Sequence, residues 1–318
     1  MHRLASILAI PLLVSCAAQD AGEGLVPMDD GARLYYRSVG QGDDEPLVVP
    51  MAVFLVDALE PLAAGRRVIF YDPRGRGRSD AADTLAVSLD RQIRDLEQLR
   101  IALGIERMAL LGWSGLGMEM AAYAIRHPDR VTRLVQVGAV PPRASQWAEV
   151  GGDARAERRD TAAIRALDER AAAGEFAGDP AAYCRARNVL TQPSNFVDTT
   201  FVARVPDTCA HENEWPERLA PYFRALLGSF GDYDWREQIR ATRIPRLVIH
   251  GREDGVPLAG AVSWAAGDPN ARLLIVSPAG HFPFLERADL FFPAVDRFLA
   301  GEFPDGAEIV QSETARAS

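Results

Sequence analysis

Residues 110–117 read Leu110-Leu111-Gly112-Trp113-Ser114-Gly115-Leu116-Gly117, an apolar run that gives way to a glycine-rich turn. A helical pattern follows, so the segment predicts a β-strand that turns sharply into a helix. A serine on such a turn presents its hydroxyl above the sheet, while small neighbours let strand and helix approach closely. The amide of Gly115 lies at the helix N-terminus, where it can donate to a developing oxyanion. Ser114 is therefore a candidate nucleophile, although packing alone explains many such turns.

Outward from this turn, short apolar runs alternate with helical patterns. The strand-like runs are Leu47–Val49, Val68–Tyr71, Met108–Leu111, Leu134–Val137, Leu247–Ile249 and Leu273–Val276. They are mostly apolar throughout, as buried parallel strands are. The patterns predict helices at Ser88–Gly104, Gly115–Arg126 and Leu285–Leu299. This alternation predicts an α/β fold with a doubly wound, mostly parallel sheet.

The alternation breaks between residues 141 and 240. No strand-like run stands out there, and helices are predicted around Ala181–Leu190 and Pro221–Leu227, the second with its proline at the helix start. An inserted helical segment is expected to form a cap over the carboxyl edge of the sheet, where ligands bind. The predicted division is a signal peptide (1–15), a linker (16–29), a core (30–140 and 241–301), the cap (141–240) and a flexible tail (302–318).

Charge composition excludes several chemistries. All 35 cationic residues are arginine, so enzymes that need a lysine amine are excluded, including Schiff-base enzymes and Ser-Lys hydrolases. The net charge of −9 argues against a nucleic acid or an anionic membrane surface as partner. Zinc-ligand spacings and a dinucleotide-binding glycine pattern are both absent from the sequence. We expect a small-molecule substrate and no cofactor or metal.

The N-terminus predicts export. A short basic segment precedes the apolar run Leu4–Val14, which suits a signal peptide and is too short to cross a bilayer. The run ends in Leu13-Val14-Ser15-Cys16, which resembles a bacterial lipobox and would make Cys16 the lipidated first residue. The expected location is then the periplasmic side of a bacterial membrane, with the lipid as the only membrane contact. The alternative is ordinary cleavage after Ala17, which releases a soluble periplasmic or secreted protein.

The remaining cysteines form a candidate pair. Assigning Cys16 to a lipid leaves Cys184 and Cys209 in the cap, in a compartment that permits disulfides. A bridge between them would close a loop of about 25 residues and stabilise the fold by ~3 kcal/mol on the chain-entropy model. The alternative is two buried free thiols.

A nucleophilic serine needs a base, and His281 is the best-placed histidine. It follows Pro278-Ala279-Gly280 after the last strand-like run. Of the other histidines, His2 leaves with the signal peptide and His127 ends a helix. His211 lies in the cap and His250 ends a strand. Asp254 also follows a strand directly and can orient the base. The order Ser114, Asp254, His281 is the one that α/β-hydrolases use.

Together these motifs resemble the α/β-hydrolase superfamily over about residues 28–301. The segment Tyr71–Asp80, which reads YDPRGRGRSD, is similar to the family signature after an early strand, and Gly280-His281-Phe282-Pro283 to its histidine loop. Asp30–Tyr36 also matches the start of the family pattern. The cap resembles that of proline iminopeptidases and related hydrolases. The resemblance implies a Ser-His-Asp triad.

Two departures from the family pattern bear on catalysis. The position two residues after the nucleophile is usually small and here is Leu116. After the early strand the family commonly has His-Gly, whereas this chain has Pro50-Met51-Ala52. A backbone N–H from Ala52, or from Met51, can still serve the oxyanion hole together with Gly115, but Pro50 cannot donate.

The resulting hypothesis is a serine hydrolase that cleaves an ester or related acyl bond. We expect aromatic side chains to line an apolar pocket, chiefly Trp113, Trp215, Tyr222 and Phe223, with Phe230 and Trp235 as further cap aromatics. An aminopeptidase is the alternative, with Glu212, Glu214 or Glu217 holding the substrate ammonium. A non-catalytic binding protein that keeps the fold is the third hypothesis, motivated by Leu116 and Pro50.

Overall fold

The computed structural model describes residues 22–42, 45–149 and 158–311. The predicted signal peptide and Cys16 lie outside these residues. Within them, no helix has the length and apolar character needed to cross a membrane.

The described residues form one eight-stranded sheet in the order β1-β2-β4-β3-β5-β6-β7-β8. Only β1–β2 and β2–β4 pair antiparallel, and the other neighbours are parallel. The predicted doubly wound, mostly parallel fold is therefore confirmed. The strands are β1 (Glu23–Pro27), β2 (Arg33–Val39), β3 (Leu47–Pro50), β4 (Val68–Tyr71), β5 (Met108–Trp113), β6 (Val131–Val137), β7 (Arg246–Gly251) and β8 (Ala271–Val276).

Helices cover both faces of this sheet. In chain order they are α1 (Ala52–Leu59), α2 (Leu89–Ala102), α3 (Gly115–Arg126), α4 (Gln146–Glu149), α5 (Thr161–Ala172), α6 (Pro180–Thr191), α7 (Pro216–Gly228), α8 (Arg236–Ala241), α9 (Leu258–Ala265), α10 (Pro283–Glu286) and α11 (Ala288–Leu299). Helices α2, α3, α8 and α9 pack on one face and α1, α10 and α11 on the other. Strand side chains are thus buried on both sides, which explains their unbroken apolar runs.

Two predicted segment boundaries are wrong. Part of the predicted linker is strand β1, whose residues pair with Arg33–Arg37 of β2 at the sheet edge. The predicted flexible tail is ordered through its described part, since Glu308 bridges to Leu273 and Val310 accepts a hydrogen bond from the Gly267 amide. Both segments are held by backbone hydrogen bonds to the core and by a few apolar side chains, such as Val26 and Phe303, that pack against it.

The cap contains helices α5, α6 and α7 with short 3₁₀ turns between them. A disulfide joins Cys184 of α6 to Cys209. The predicted start of α7 is wrong, because the helix begins at Pro216 and Pro221 lies inside it. Pro216 suits the first helical position since its missing N–H has no partner there anyway. Pro221 loses one intrahelical bond, which packing of the buried Tyr222 and Leu226 compensates.

Candidate active site

The turn between β5 and α3 holds Ser114 in a strained backbone conformation. Its φ is 59° and its ψ is −131°, a region that residues other than glycine rarely adopt. The Ser114 amide donates to the Val137 carbonyl across the sheet at 2.8 Å, which fixes the turn. Such strain, of order 1–3 kcal/mol, persists only where the surroundings hold it. The side chain is half-buried and lines a cavity at the carboxyl edge of the sheet.

Two glycines allow this turn. A Cβ on Gly112 would lie 2.5 Å from the Leu116 carbonyl oxygen, and one on Gly117 would lie 2.9 Å from the Ala139 Cβ. Strand and helix therefore meet at these positions. Leu116 is directed into the cavity instead, so its bulk does not disturb the close approach.

Asp254 and His281 lie on the loops that follow β7 and β8. His281 Nδ1 is 2.8 Å from Asp254 Oδ2, and both side chains are almost fully buried. The second carboxylate oxygen of Asp254 accepts the Val256 amide at 2.8 Å. Burial raises the pKa of Asp254, but the facing His281 ring outweighs it and leaves that pKa below its ordinary value. Asp254 is therefore an ionised partner suited to orient an imidazole.

The backbone around His281 is fixed on two sides. Its amide donates to the Asn195 carbonyl of the cap at 2.8 Å, and its carbonyl accepts the Trp113 indole N–H at 2.8 Å. Gly138, with φ of 54°, leaves room for the carboxylate–imidazole pair. A Cβ there would lie 2.9 Å from Asp254 Oδ2. The structure thus places Ser114, Asp254 and His281 on neighbouring loops at one edge.

A cavity of about 900 Å³ lies between the core and the cap, with Ser114 and His281 in its wall. Near them the lining is apolar: Met51, Phe54, Trp113, Leu116 and Phe282. The Phe54 and Trp113 rings stack with centroids 5.3 Å apart. Elsewhere the cap contributes charged residues, including Arg165, Asp168, Glu169 and Arg187.

The aromatic residues predicted for the pocket lie in different places. Trp113 and Phe223 line the cavity. Trp215 does not, because its indole N–H donates to the Cys209 carbonyl within the cap at 2.9 Å. Tyr222 does not either, since it is buried between cap and core, where its hydroxyl accepts from Gln92 Nε2 at 3.0 Å. Phe230 and Trp235 pack against the core.

The turn between β3 and α1 carries the predicted second oxyanion donor. Met51 adopts the left-handed conformation, with φ of 70° and ψ of 57°, and its side chain lines the cavity. Ala52 is the first residue of α1, so its N–H has no acceptor inside the helix. The Val53 amide donates to Asp72 Oδ1 at 2.9 Å. Burial raises the pKa of Asp72 to about 6.

Arg76, Glu214 and Glu119 form a polar part of the cavity wall, and of the three only Glu214 was a predicted site residue. Arg76 binds Glu214 through two hydrogen bonds of 3.0 and 2.9 Å, and Glu214 also accepts the Gly77 amide. Glu119 lies on α3, five residues after Ser114, and is 6% exposed. Among the described residues no hydrogen bond or ion pair reaches its carboxyl, and burial raises its pKa to about 7. The only sequence signal was an acidic residue in an otherwise apolar helix.

The acids considered for an ammonium site separate on different surfaces. Glu214 lines the cavity, but Arg76 neutralises it. Glu212 is exposed and pairs with Arg218 at 3.3 Å, and Glu217 is exposed in the first turn of α7. Only Glu214 of the three therefore lies where a substrate could meet it.

His250, the other histidine at the end of a core strand, has no access to the cavity. His250 is fully buried in β7, with Nε2 3.0 Å from the Val256 carbonyl oxygen. In the described parts of the chain, no cluster of three or more histidine, cysteine or acidic residues could hold a metal ion.

Comparison with known proteins identifies the family. The family model of the α/β hydrolase fold matches residues 50–288. A 2-hydroxy-6-oxononadienedioate/2-hydroxy-6-oxononatrienedioate hydrolase from Cupriavidus pinatubonensis is 30% identical over 246 residues, covering 76% of this chain and 79% of that protein. A proline iminopeptidase from Xylella fastidiosa is 28% identical over 311 residues, covering 87% and 96%.

Solved structures share the architecture. An esterase from Exiguobacterium antarcticum superposes with a TM-score of 0.64 at 20% identity, covering 87% of this chain and 99% of that one. At this identity the likeness concerns the fold alone.

Proposed function

Because this chain belongs to the α/β-hydrolase fold family and its relatives are hydrolases, we propose that it is a serine hydrolase acting on an ester or related acyl bond. The observation that carries the proposal is the 2.8 Å Asp254–His281 contact, buried beside a cavity that also exposes Ser114. The three residues lie on neighbouring loops in the order that this chemistry uses.

Proton transfer follows from the hydrogen bond to Asp254. Since Nδ1 of His281 is engaged by the carboxylate, Nε2 is the nitrogen that takes the Ser114 proton as the hydroxyl attacks the acyl carbonyl. Asp254 fixes the tautomer and stabilises the imidazolium that forms. The protonated His281 then donates to the leaving group, and a water attacks the acyl-enzyme to restore Ser114.

The oxyanion of each tetrahedral intermediate needs two aimed donors. Gly115 lies at the N-terminus of α3 and lines the cavity, and Ala52 begins α1 on the neighbouring turn. Both amides belong to first turns of helices, where no intrahelical acceptor competes for the proton. We assign them as the oxyanion donors.

The substrate class follows from the cavity. Its lining near Ser114 is aromatic and aliphatic, which suits a small, largely apolar acyl group. No step of this mechanism uses a metal or a cofactor.

A fluorophosphonate probe tests the mechanism directly. We expect the wild type to be labelled and Ser114→Ala to remain unlabelled, with esterase activity reduced at least ~10³-fold. Equal thermal unfolding of both proteins is the control for folding. A folded wild type that takes no label would instead support a non-catalytic binding protein.

Glu119 favours a second candidate, an aminopeptidase. Among the described residues this buried carboxyl has no hydrogen bond or ion pair, only the more distant charge of Arg76, and an ammonium in the cavity would supply a direct contact. The proline iminopeptidase from Xylella fastidiosa adds to this candidate. Turnover of p-nitrophenyl butyrate and proline p-nitroanilide separates the two. We expect the ester to be cleaved faster. The reverse, together with selective loss of anilide cleavage in Glu119→Gln, would establish the aminopeptidase.

Export as a lipoprotein is the proposal for the N-terminus. The Cys184–Cys209 disulfide supports it, since such bonds persist in oxidising compartments. In a bacterial host grown with an alkyne-tagged fatty acid, we expect the wild type in the membrane fraction with label and Cys16→Ala without label. A processed, unlabelled and soluble wild type would support the alternative cleavage after Ala17.

A further inference from the structure

The turn before α1 lacks the features that normally shape such a turn. Met51 has positive φ although it is not glycine, and its side chain does not cap the helix. Pro50, directly before it, has no N–H to donate. Some other group must therefore fix the direction of the Ala52 amide.

Asp72 is in position to do so. Strands β3 and β4 are parallel and pair Pro50 with Tyr71, so Met51 and Asp72 leave the sheet side by side. Asp72 Oδ1 accepts the Val53 amide at 2.9 Å, the bond that a side-chain cap would otherwise provide. The cap of α1 thus comes from the neighbouring strand.

The carboxylate is itself held on its far side. Asp72 Oδ2 accepts the Arg78 amide at 2.9 Å, and Asp72 is fully buried. Gly77 packs directly against it, since a Cβ there would lie 2.3 Å from Oδ2. Among the described residues no salt bridge uses this carboxylate, and its hydrogen-bond donors are the two backbone amides.

We propose that Asp72 is the positioning residue of the oxyanion hole: it caps α1 in place of Met51 and thereby aims the Ala52 amide at the substrate carbonyl oxygen. The turn reaches the cavity at Met51, whose peptide bond carries the Ala52 amide, whereas Asp72 lies behind the turn and acts through it. The inference rests on the proposed function.

Asp95 provides a matched control. It is equally buried and also binds the loop after β4, through two hydrogen bonds from Arg74 of 2.8 and 3.0 Å. Its ion pairs are with Arg74 and Arg91, and neither of these residues belongs to the turn before α1. Loss of Asp95 therefore reports the structural effect of removing a buried carboxylate from the same region.

The test compares Asp72→Asn with Asp95→Asn on a p-nitrophenyl ester. Asparagine keeps the size of Asp72 but turns an NH₂ towards one of the two amides. We expect kcat to fall about 10–100-fold with KM changed less than twofold, because one oxyanion donor is misaligned. Affinity for a trifluoromethyl ketone, which forms an oxyanion on Ser114, should fall by a similar factor. Asp95→Asn should lower the unfolding temperature while kcat stays within twofold of wild type.

Gly77→Ala is the second variant, for use if Asp72→Asn does not fold. It keeps the carboxylate and displaces it, and Gly75→Ala, also at positive φ in this loop but not against Asp72, is its control. Unchanged kcat in folded Asp72→Asn or Gly77→Ala would overturn the inference, as would equal loss of kcat in the controls. If the proposed function itself is wrong, the result is different: the wild type neither hydrolyses the ester nor is labelled by the fluorophosphonate.

Discussion

Two strand-to-helix turns meet at the cavity, and they achieve similar geometry by different means. The turn at Ser114 and the turn at Met51 each place a residue other than glycine at positive φ, 59° and 70° respectively. Around Ser114, Gly112 and Gly117 create the space that the turn needs. Around Met51 no such glycine is present, and Asp72 from a neighbouring strand holds the turn instead.

The two turns differ in whether the residues that shape them are close to the turn in sequence. Glycines beside Ser114 are local in sequence, so the first turn could be recognised from eight consecutive residues. The second turn depends on a contact between residues 19 positions apart, made only when β3 and β4 pair. The following predictions change, one at a time, the glycines around the Ser114 turn and the His281–Asp254 pair, and the buried Glu119 carboxyl.

Gly112→Ala is expected to have the largest effect. Its Cβ would lie 2.5 Å from the Leu116 carbonyl oxygen and 2.6 Å from the Gly117 Cα, and both are backbone atoms that cannot turn aside. We expect a loss of about 3–5 kcal/mol in the free energy of unfolding and at least ~100-fold in kcat. Urea unfolding and ester kinetics measure these losses. Near-normal values would mean that space does not control the Ser114 turn.

Glu119→Gln tests the helix that follows the Ser114 turn. The folded pKa of about 7 exceeds the ordinary 4.5, so the folded state binds more protons between these pH values. Stability from this group is therefore present below about pH 4.5 and lost as the pH rises to 7. Glutamine does not titrate, so the free energy of unfolding of the variant should not show this loss. The difference between variant and wild type should therefore shift by about 2 kcal/mol in favour of the variant when the pH rises from 5 to 8. Urea unfolding at both pH values measures this, and parallel pH dependences would contradict it.

Gly138→Ala tests the close packing of Gly138 against Asp254 and His281, which depends on the missing side chain of the glycine. The added Cβ would press on the carboxylate of Asp254 at 2.9 Å and on His281 Nδ1 at 3.1 Å. Since these are side-chain atoms, they can shift by a few tenths of an ångström, and we expect about a 10-fold loss of kcat, the equivalent of one weakened hydrogen bond. Ester kinetics over a pH series measures it. An unchanged rate would show that the Asp254–His281 pair adapts.

Gly117→Ala and Gly115→Ala should have the smallest effects and form a matched pair. The Gly117 Cβ would meet the Ala139 methyl group at 2.9 Å, whereas nothing lies within 4 Å of the Gly115 position. We expect Gly117→Ala to lose about 1–2 kcal/mol of stability by overpacking. Gly115→Ala should stay within about 0.5 kcal/mol and keep its amide as oxyanion donor. Similar losses in both variants would refute the role of the close approach at Gly117.

Much of the fold followed from local patterns. The buried strands from β3 to β8 were visible as apolar runs, and α2 was visible from its periodicity and from Ser88, which does cap it by accepting the Arg91 amide. Strand β1 was missed because its sequence, EGLVP, is mostly exposed and is ordered by pairing with β2. Pro221 was read as a helix start because a proline inside a helix is unfavourable, yet tertiary packing overrides that preference.

The candidate site also contains residues that the sequence indicated and residues that only the structure revealed. Ser114, Asp254 and His281 could be selected because each follows a strand, and the carboxyl ends of parallel strands meet at one edge. Glu119 was visible only as an acidic residue in an apolar helix, and Asp72 only as part of the Tyr71–Asp80 motif, because their roles depend on burial and on contacts distant in sequence. Trp215 and Tyr222 were wrongly predicted to line the cavity. An aromatic residue in a cap can equally well pack inside the cap or against the core, and the sequence does not distinguish these positions.

The sequence by itself determined the buried strands β3 to β8, the helices α2 and α3 among them, the sharp turn at Ser114, the candidate acid and base that follow β7 and β8, and the absence of lysine chemistry. These features depend on residue type and on spacing within a few positions, and local conformational preferences express them directly. The tertiary structure alone decided how the Met51 turn is held, which aromatic side chains face the cavity, and that the Glu119 carboxyl is buried without a hydrogen bond or ion pair among the described residues. Those properties arise from desolvation and contacts between distant segments, which exist only once the sheet has formed and the cap covers its edge.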